Sequence, residues 1–372
     1  MENINTKKRA RVIAFYLPQY YPTETNNIFY GKGFTEWTNV GKAKPLFRGH
    51  YQPKVPADLG YYDLRYPEIK QQQAEMAKEA GIEGFCYYHY WFGNGKQELE
   101  IPFNDVVKRG EPNLPFCLCW ANQSWYSKFW DKDNKKDILV AKQNYDDEKG
   151  IEKHFYSLID AFKDHRYIKV KGRLLFMIYR PLEYPDVTFF MKKWQTLAKK
   201  NALPGFYFIG QATNDKQAQD ILSLGLDGVN IVRKDDFLQG FKYNNLFTRF
   251  INKFARFLGL APYHYDYKKI YKTFISQDGI ENRGNIYPTL IPNWDHSPRS
   301  GKKGLVFYNS TPDNFMLHIS DVLQVTDKKN IEDRIIFLKS WNEWGEGNYV
   351  EPCLKYGKGY ICALKSAIAQ SL

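Results

Sequence analysis

The chain has 372 residues with a formal net charge of +12, and 17% of its residues are aromatic. The length agrees with a single large domain, and the sequence contains no internal repeat, low-complexity tract or Pro- or Ser-rich linker that would mark a second one. The five cysteines are an odd number, and the seven histidines include no H-E-x-x-H pattern. These counts argue against a disulfide framework and a metal site, and we predict no cofactor.

The N-terminal residues 1–9 are polar and lead straight into the first predicted strand. They contain no secretory h-region, and no apolar run along the chain is long enough to span a bilayer. We therefore expect a cytoplasmic protein.

Eight apolar runs rich in β-branched and aromatic residues, each bounded by turn residues, predict eight strands. These runs are residues 12–17, 84–88, 116–120, 174–179, 206–210, 228–231, 287–291 and 335–338. Segments with helical apolar spacing lie between most of them, at residues 66–80, 153–162, 189–200 and 216–224. This alternation predicts parallel pairing, and over residues 1–372 it favours a single catalytic (β/α)8 TIM barrel with loop insertions over a doubly wound sheet.

Aromatic and polar residues follow successive predicted strands, and in a barrel these strand exits converge on the C-terminal mouth. Aromatic faces pack against the C–H faces of sugars, while amide, imidazole and carboxylate groups bind hydroxyls. For each residue alone, packing in the core or at the rim is the alternative. The candidate substrate-binding residues are Tyr16, Gln19, Tyr20, Trp37, His89, Tyr90, Trp91, Trp120, Asn122, Trp125, Gln211, Trp294, Asp295, Asn342 and Trp344.

The segment 340–347 follows the last predicted strand and holds two carboxylates, Glu343 and Glu346, among Trp341, Trp344 and glycines. An aromatic wall limits the hydration of a carboxylate and helps it to hold a proton, while a second carboxylate nearby stays ionised. If the segment turns helically, the two Cβ atoms lie about 5–6 Å apart. Glycosidic cleavage commonly uses such a pair. The alternative is a pair of surface charges in a glycine turn.

A basic insertion spans residues 233–276, and nine basic residues stand against three acidic ones between positions 233 and 272. Apolar residues within it follow helical spacing and predict an amphipathic helix over residues 244–261. Such a helix suits peripheral contact with an anionic membrane, at its inner face, and a lipid-linked glycan substrate. The alternative is a helix packed on the barrel with a solvated basic face. No recognised motif supports binding to nucleic acid.

Several segments of the chain carry a resemblance to a known family, namely residues 15–20 (FYLPQY), 33–37 (GFTEW), 88–92 (YHYWF), 120–122 (WAN), 294–295 (WD), 342–347 (NEWGEG) and 351–352 (EP). They resemble the WbsX-type proteins of bacterial polysaccharide gene clusters, which are grouped with the glycoside hydrolase family 99-like barrels. The resemblance runs from the first strand almost to the last residue.

The resemblance implies a barrel that acts on α-linked sugars, because family 99 enzymes are retaining endo-α-mannosidases. It implies that Glu343 deprotonates the substrate's own 2-hydroxyl, which attacks the anomeric carbon and gives a 1,2-anhydro sugar. It implies further that Glu346 is the general acid and then the general base, and that Tyr179 hydrogen-bonds this residue. The expected substrate is an oligosaccharide or lipid-linked glycan of surface-polysaccharide metabolism, such as O-antigen or capsule.

Three functions stay open. Hydrolysis and transglycosylation both fit the paired glutamates, because water or a sugar hydroxyl can open the same intermediate. A glycosyltransferase using an activated sugar donor usually carries a D-x-D metal motif; Asp131 and Asp133 have this form, but no strand leads into their Lys-rich loop, and we interpret the match as chance. A non-catalytic glycan-binding protein would use the aromatic mouth and not need the glutamates.

Overall fold

The computed structural model describes residues 8–127, 138–238, 250, 254, 263–276 and 279–368. Within these residues, eight strands pair in parallel and alternate with helices along the chain. The strands are β1 (Arg11–Tyr16), β2 (Gly84–Trp91), β3 (Phe116–Trp120), β4 (Arg173–Ile178), β5 (Phe206–Ala212), β6 (Gly228–Ile231), β7 (Ile286–Tyr287 and Thr289–Leu290) and β8 (Ile335–Leu338).

The sheet closes through β7, whose two halves lie at the two ends of the strand order. The first half pairs with β6, and the second half pairs with β8, which in turn pairs with β1. Only Pro288 separates the halves, and proline has no backbone N–H to donate to a sheet. Its carbonyl oxygen nevertheless accepts a hydrogen bond from the backbone N–H of Phe337 at 3.0 Å. The predicted (β/α)8 barrel is therefore confirmed.

Helices surround the barrel and the segments at its mouth. They are α1 (Glu24–Tyr30), α2 (Glu36–Lys42), α3 (Pro67–Glu79), α4 (Ile101–Arg109), α5 (Glu148–Ser157), α6 (Ile159–Lys163), α7 (Val187–Lys200), α8 (Asp215–Ser223), α9 (Tyr267–Ile270), α10 (Ser297–Ser300), α11 (Pro312–Thr326) and α12 (Gly359–Ile368). The helices predicted from apolar spacing are confirmed as α3, α7 and α8. The fourth is divided at Leu158 into α5 and α6.

The strands are buried on both faces because the helices cover the outside of the barrel. Helix α7 shows how the cover is built. Its Trp194 is fully buried, with its ring centroid 4.7 Å from that of Phe176 on β4 and 5.2 Å from that of Phe206 on β5. Burial of one large apolar side chain stabilises the fold by roughly 1.5–3 kcal/mol, so this aromatic layer fixes the helix on the sheet.

Short strand pairs extend the chain beyond the carboxyl ends of the barrel strands. Residues Trp125–Ser127 pair antiparallel with Ile138–Ala141 after β3, and Asn342–Glu343 pair antiparallel with Asn348–Tyr349 after β8. Because parallel strands all point the same way, these additions collect at one mouth of the barrel.

The helix predicted over residues 244–261 lies outside the described residues, apart from Phe250 and Phe254. Both of these side chains are exposed, with nearly parallel rings whose centroids lie 6.3 Å apart. Across the described ranges, no helix combines the length and the apolar content that a membrane crossing requires.

The close approach of two barrel strands predicts that Gly84→Ala destabilises the fold. A Cβ on Gly84 would overlap the backbone carbonyl of Pro115, and overpacking of this kind costs about 1–3 kcal/mol. Gly41→Ala in α2 is the matched control, because a Cβ there has no neighbour within 4 Å. The control should leave the free energy of unfolding unchanged or raise it by up to about 1 kcal/mol. Equal urea midpoints for the two variants would contradict this account of the strand contact.

Candidate active site

A cavity of about 970 Å³ lies at the carboxyl end of the barrel. Its volume falls within the range of ligand sites in proteins. Residues that end or follow β1, β2, β4, β5 and β8 all contribute to its wall, as the convergence of strand exits predicts. The predicted site residues that line the cavity are Gln19, Tyr90, Trp125, Tyr179, Gln211, Trp294, Glu343 and Glu346.

The carboxylate of Glu343 is fixed through one of its two oxygens. Its Oε2 accepts hydrogen bonds from the Ser340 hydroxyl at 2.5 Å and from the Lys339 ammonium at 3.1 Å. Burial works to lower the pKa of Lys339, but the Glu343 carboxylate raises it above its ordinary value. Within the described ranges, Oε1 has no hydrogen-bond partner, so it can accept a substrate hydroxyl.

Glu346 ends the short 3-10 turn Trp344–Glu346 and has different partners. Arg299 Nη1 donates to Glu346 Oε1 at 2.5 Å, and His296 Nε2 lies 3.7 Å from the same oxygen. Burial alone would raise the pKa of Glu346, but Arg299 and then His296 lower it well below its usual range. The carboxylate is therefore ionised in the free site.

Aromatic rings form one side of the cavity. The rings of Tyr90, Phe92 and Trp125 are stacked, with the centroids of Tyr90 and Phe92 lying 5.9 and 6.4 Å from that of Trp125. Tyr179 meets Tyr88 edge to face at a centroid distance of 6.2 Å. Tyr179 and Glu346 both lie within the described residues, and no hydrogen bond joins the Tyr179 hydroxyl to the Glu346 carboxylate. The role that the resemblance implies for Tyr179 therefore stays a prediction.

Several predicted contact residues instead hold the turn that carries the glutamates. Asn342 bonds the backbone N–H and carbonyl of Leu17 at 2.7 and 3.0 Å, so its amide is committed to the exit of β1. The Tyr20 hydroxyl donates to the carbonyl of Asn342, and the Trp37 indole donates to the carbonyl of Tyr62 at 2.7 Å. None of Tyr16, Tyr20, Trp37, Asn342 and Trp344 is among the residues that line the cavity.

Other predicted substrate-binding residues also use their polar groups in hydrogen bonds within the fold. The Trp120 indole donates to the carbonyl of Trp91, the Asn122 amide brackets the backbone of Arg180, and His89 Nε2 lies 2.8 Å from His154 Nε2. Asp295 accepts from Gln52 at 2.6 Å and lies 2.8 Å from His50. His89, Trp91, Trp120, Asn122 and Asp295 are not among the residues that line the cavity, and a sugar contact for them stays a prediction.

Trp294 lines the cavity but is nearly buried, and the Lys234 ammonium lies 5.1 Å from its ring centroid. One approach to this ring is therefore taken by a cation, which limits its use as a sugar platform. Of the two tryptophans that line the cavity, Trp125 is the more accessible, since it is only partly buried.

Sequence reasoning missed several charged residues that line the cavity, including Glu36, Arg299 and Lys339. The location of Lys339 directly after β8 indicates a place at the mouth of the barrel, and this could have identified it. Glu36 lies in the recognised segment 33–37, but we chose its neighbour Trp37. Adjacent positions of a helix point about 100° apart, so only one of the two faces the cavity. Arg299 belongs to the short helix α10, and no motif marks it.

Among the described residues, no cluster of three or more His, Cys, Asp or Glu side chains has an arrangement that could hold a metal ion. Asp131 and Asp133, which have the D-x-D form, lie outside the described residues.

Comparisons with known proteins agree with this architecture. The profile of the family described as "Glycosyltransferase WbsX" matches residues 12–364. A relative from Xanthomonas campestris pv. campestris (strain B100), described as "Uncharacterized protein WxcX", is 30% identical over 364 residues, covering 97% of this chain and 50% of the relative. The WxcX protein of strain ATCC 33913 matches with the same identity and coverage. The chain thus spans about half the length of these curated relatives.

Solved structures share the fold. One described as "Glycoside hydrolase-like protein" aligns with a TM-score of 0.63 at 14% identity, covering 99% of this chain and 96% of that chain. The GH99 endo-α-mannosidase from Bacteroides thetaiotaomicron, in complex with bis-tris-propane, aligns with a TM-score of 0.53 at 14% identity, covering 96% of each chain. At this identity the likeness is one of fold.

The buried carboxyl of Glu351 predicts a pH-dependent stability. It accepts from the Trp344 indole and the Gln73 amide at 2.6 Å each, and burial raises its pKa to about 7. An unfolded glutamate titrates near pH 4.3, so the stability from the neutral form is complete below that pH and is lost as the pH rises through about 7. The free energy of unfolding of the wild type, measured relative to Glu351→Gln, should fall on the order of 2–4 kcal/mol across this window. A constant difference would contradict the prediction.

Proposed function

The chain belongs to the WbsX glycosyltransferase family, and from this membership and the site geometry we propose a retaining enzyme of surface-polysaccharide metabolism that acts on α-linked, mannoside-like glycans. One observation carries the proposal: Glu343 and Glu346 leave a single turn after β8, and both line the same cavity. Two carboxylates that reach one substrate bond are the basis of retaining glycoside chemistry.

In the first step, Glu343 takes the proton of the substrate's 2-hydroxyl. Its Oε1 is the oxygen for this task, because Ser340 and Lys339 occupy Oε2. The freed 2-oxygen attacks the anomeric carbon and forms a 1,2-anhydro sugar. As the glycosidic bond breaks, Glu346 gives a proton to the leaving oxygen. Glu346 acquires this proton in the substrate complex, since Arg299 holds it ionised in the free site.

In the second step, an acceptor hydroxyl gives its proton to Glu346 and attacks the anomeric carbon, which opens the anhydro ring. Glu343 returns its proton to the 2-oxygen. Glu346 releases the acceptor's proton to solvent, from which it drew its first proton, when the product leaves and Arg299 pairs with it again, so both carboxylates return to the ionised state. Inversion at each step gives net retention. The family description names glycosyl transfer, and this favours a sugar hydroxyl over water as the acceptor.

The aromatic side of the cavity suits the glycan chain. The rings of Tyr90, Phe92 and Trp125 present flat faces against which C–H faces of sugars pack. The proposal places the enzyme in the cytoplasm, with an oligosaccharide or lipid-linked glycan as its substrate. The basic charge of the insertion 233–276 suits peripheral contact with the inner, anionic face of the membrane, and packing on the barrel is the alternative.

The proposal predicts that Glu343→Gln and Glu346→Gln each reduce glycan cleavage or transfer by at least about 10²-fold. Wild type and both variants are incubated with α-linked oligosaccharides, without metal or nucleotide sugar, and products are read by mass spectrometry. Glu332→Gln is the matched control, because this glutamate does not line the cavity and instead lines a separate surface pocket with Arg11.

Two outcomes would contradict the paired-glutamate proposal. If the wild type processes glycans only when an activated sugar donor is added, the protein is a donor-dependent glycosyltransferase. If it binds glycans with unchanged affinity in all four proteins and converts none, with or without a donor, it is a binding protein.

A further inference from the structure

Arg299 is shared between two carboxylates from different parts of the fold. Its Nε and Nη2 donate to the two oxygens of Glu36 at 3.0 and 2.8 Å, while its Nη1 donates to Oε1 of Glu346 at 2.5 Å. The contact with Glu36 is two-pronged, the geometry in which a planar guanidinium and a carboxylate bind best. The contact with Glu346 has a single prong and is the easier of the two to break.

The limited exposure of these three side chains makes it important that Arg299 has two carboxylate partners. The side chain of Glu36 is only 2% exposed, that of Glu346 is 16% exposed and that of Arg299 is 21% exposed. A buried guanidinium that loses its only carboxylate partner is strongly disfavoured. If Glu346 were that only partner, it would stay locked in the ion pair. Glu36 removes this constraint, because Arg299 keeps two hydrogen bonds when Glu346 is released.

Glu36 is itself held in place by its surroundings. Its backbone N–H donates to the carbonyl of Gln19 at 3.0 Å, and the Asn39 amide donates to its Oε1 at 3.2 Å. The carboxylate lies directly against Gly345, where a Cβ would overlap it. A glycine between Glu343 and Glu346 therefore lets a carboxylate from α2 reach the site.

We propose that Glu36 and Arg299 are positioning residues of the reaction, in which Glu36 retains the guanidinium while Glu346 exchanges its proton with the substrate. This inference rests on the proposed function, which uses Glu346 as acid and then as base. It explains how an ion-paired carboxylate becomes a proton donor. Burial favours the neutral form of Glu346 and Arg299 opposes it, so release of Arg299 onto Glu36 allows protonation.

The other titratable groups around Arg299 and its two carboxylates belong to several elements. His296 approaches from the segment before α10, Lys339 and Glu343 come from the exit of β8, and tyrosines come from β2, the exit of β4, the exit of β1 and α1. The charged and titratable groups that face Glu346, Arg299 or Glu36 are His296, Lys339, Glu343, Tyr88, Tyr90, Tyr179, Tyr20, Tyr30 and Lys42.

The first test needs no enzymatic turnover. The side-chain carboxyls of glutamate are labelled with carbon-13, and the Glu346 signal is assigned by its loss in Glu346→Gln and followed with pH. Arg299→Met should raise the Glu346 midpoint by about one unit or more. Lys303→Met is the matched control, because it removes an exposed cation from the same cavity wall and should leave the midpoint nearly unchanged. An unchanged midpoint in Arg299→Met overturns the inference.

The second test separates the roles of the two residues by kinetics. Glu36→Gln keeps the side-chain volume but leaves Glu346 as the one carboxylate that hydrogen-bonds Arg299 among the described residues, so kcat should fall by about tenfold or more with little change in KM. Adding Arg299→Met should restore part of this loss, because no guanidinium remains to lock Glu346. A double variant slower than Glu36→Gln overturns the role of Glu36. If the wild type converts no glycan while the titration shows the expected shift, the proposed function fails and control of Glu346 by Arg299 stands.

Discussion

Each of the two glutamates at the exit of β8 is paired with a cation: the buried Lys339 holds Glu343, and the partly buried Arg299 holds Glu346. Taking a charge pair out of water costs so much that such pairs seldom add stability. Their presence is therefore better explained by chemistry than by folding. Each cation occupies part of its carboxylate. In the mechanism that we propose, this leaves Oε1 of Glu343 for the substrate and makes the proton of Glu346 depend on the movement of one guanidinium.

The turn that carries the glutamates is held by contacts on the side away from the cavity. Trp344 stacks on Tyr349 at a centroid distance of 3.7 Å and donates to Glu351, while Asn342 is bonded to the exit of β1. These side chains never meet the cavity, yet they set the directions of Glu343 and Glu346. A catalytic group whose supporting residues are locked by packing keeps the geometry that its reaction needs.

Sequence patterns were sufficient for the barrel because each strand is an apolar run closed by turn residues, and they located both glutamates because these follow the last run directly. They were insufficient for the side-chain directions. Trp37 and Glu36 are adjacent in α2, and only the contacts of the folded chain show that Glu36 faces the cavity. Arg299 lies 263 residues from Glu36, so no local pattern could pair them. Pro288 divides β7. The effect of a proline on a strand depends on whether a neighbouring strand needs a backbone N–H donor at that position.

The most direct test of the roles of Glu343 and Glu346 measures the activity of each glutamate variant on two substrates. One is the oligosaccharide that the wild type converts, and the other is the glycosyl fluoride of the same sugar. Fluoride leaves without a proton, so a variant without the general acid should regain activity on it, while a variant without the base that activates the 2-hydroxyl should not. The account predicts that Glu346→Gln recovers at least about tenfold on the fluoride relative to the oligosaccharide and that Glu343→Gln recovers nothing. Equal recovery by both variants, or recovery by Glu343→Gln alone, would contradict the roles assigned to the pair.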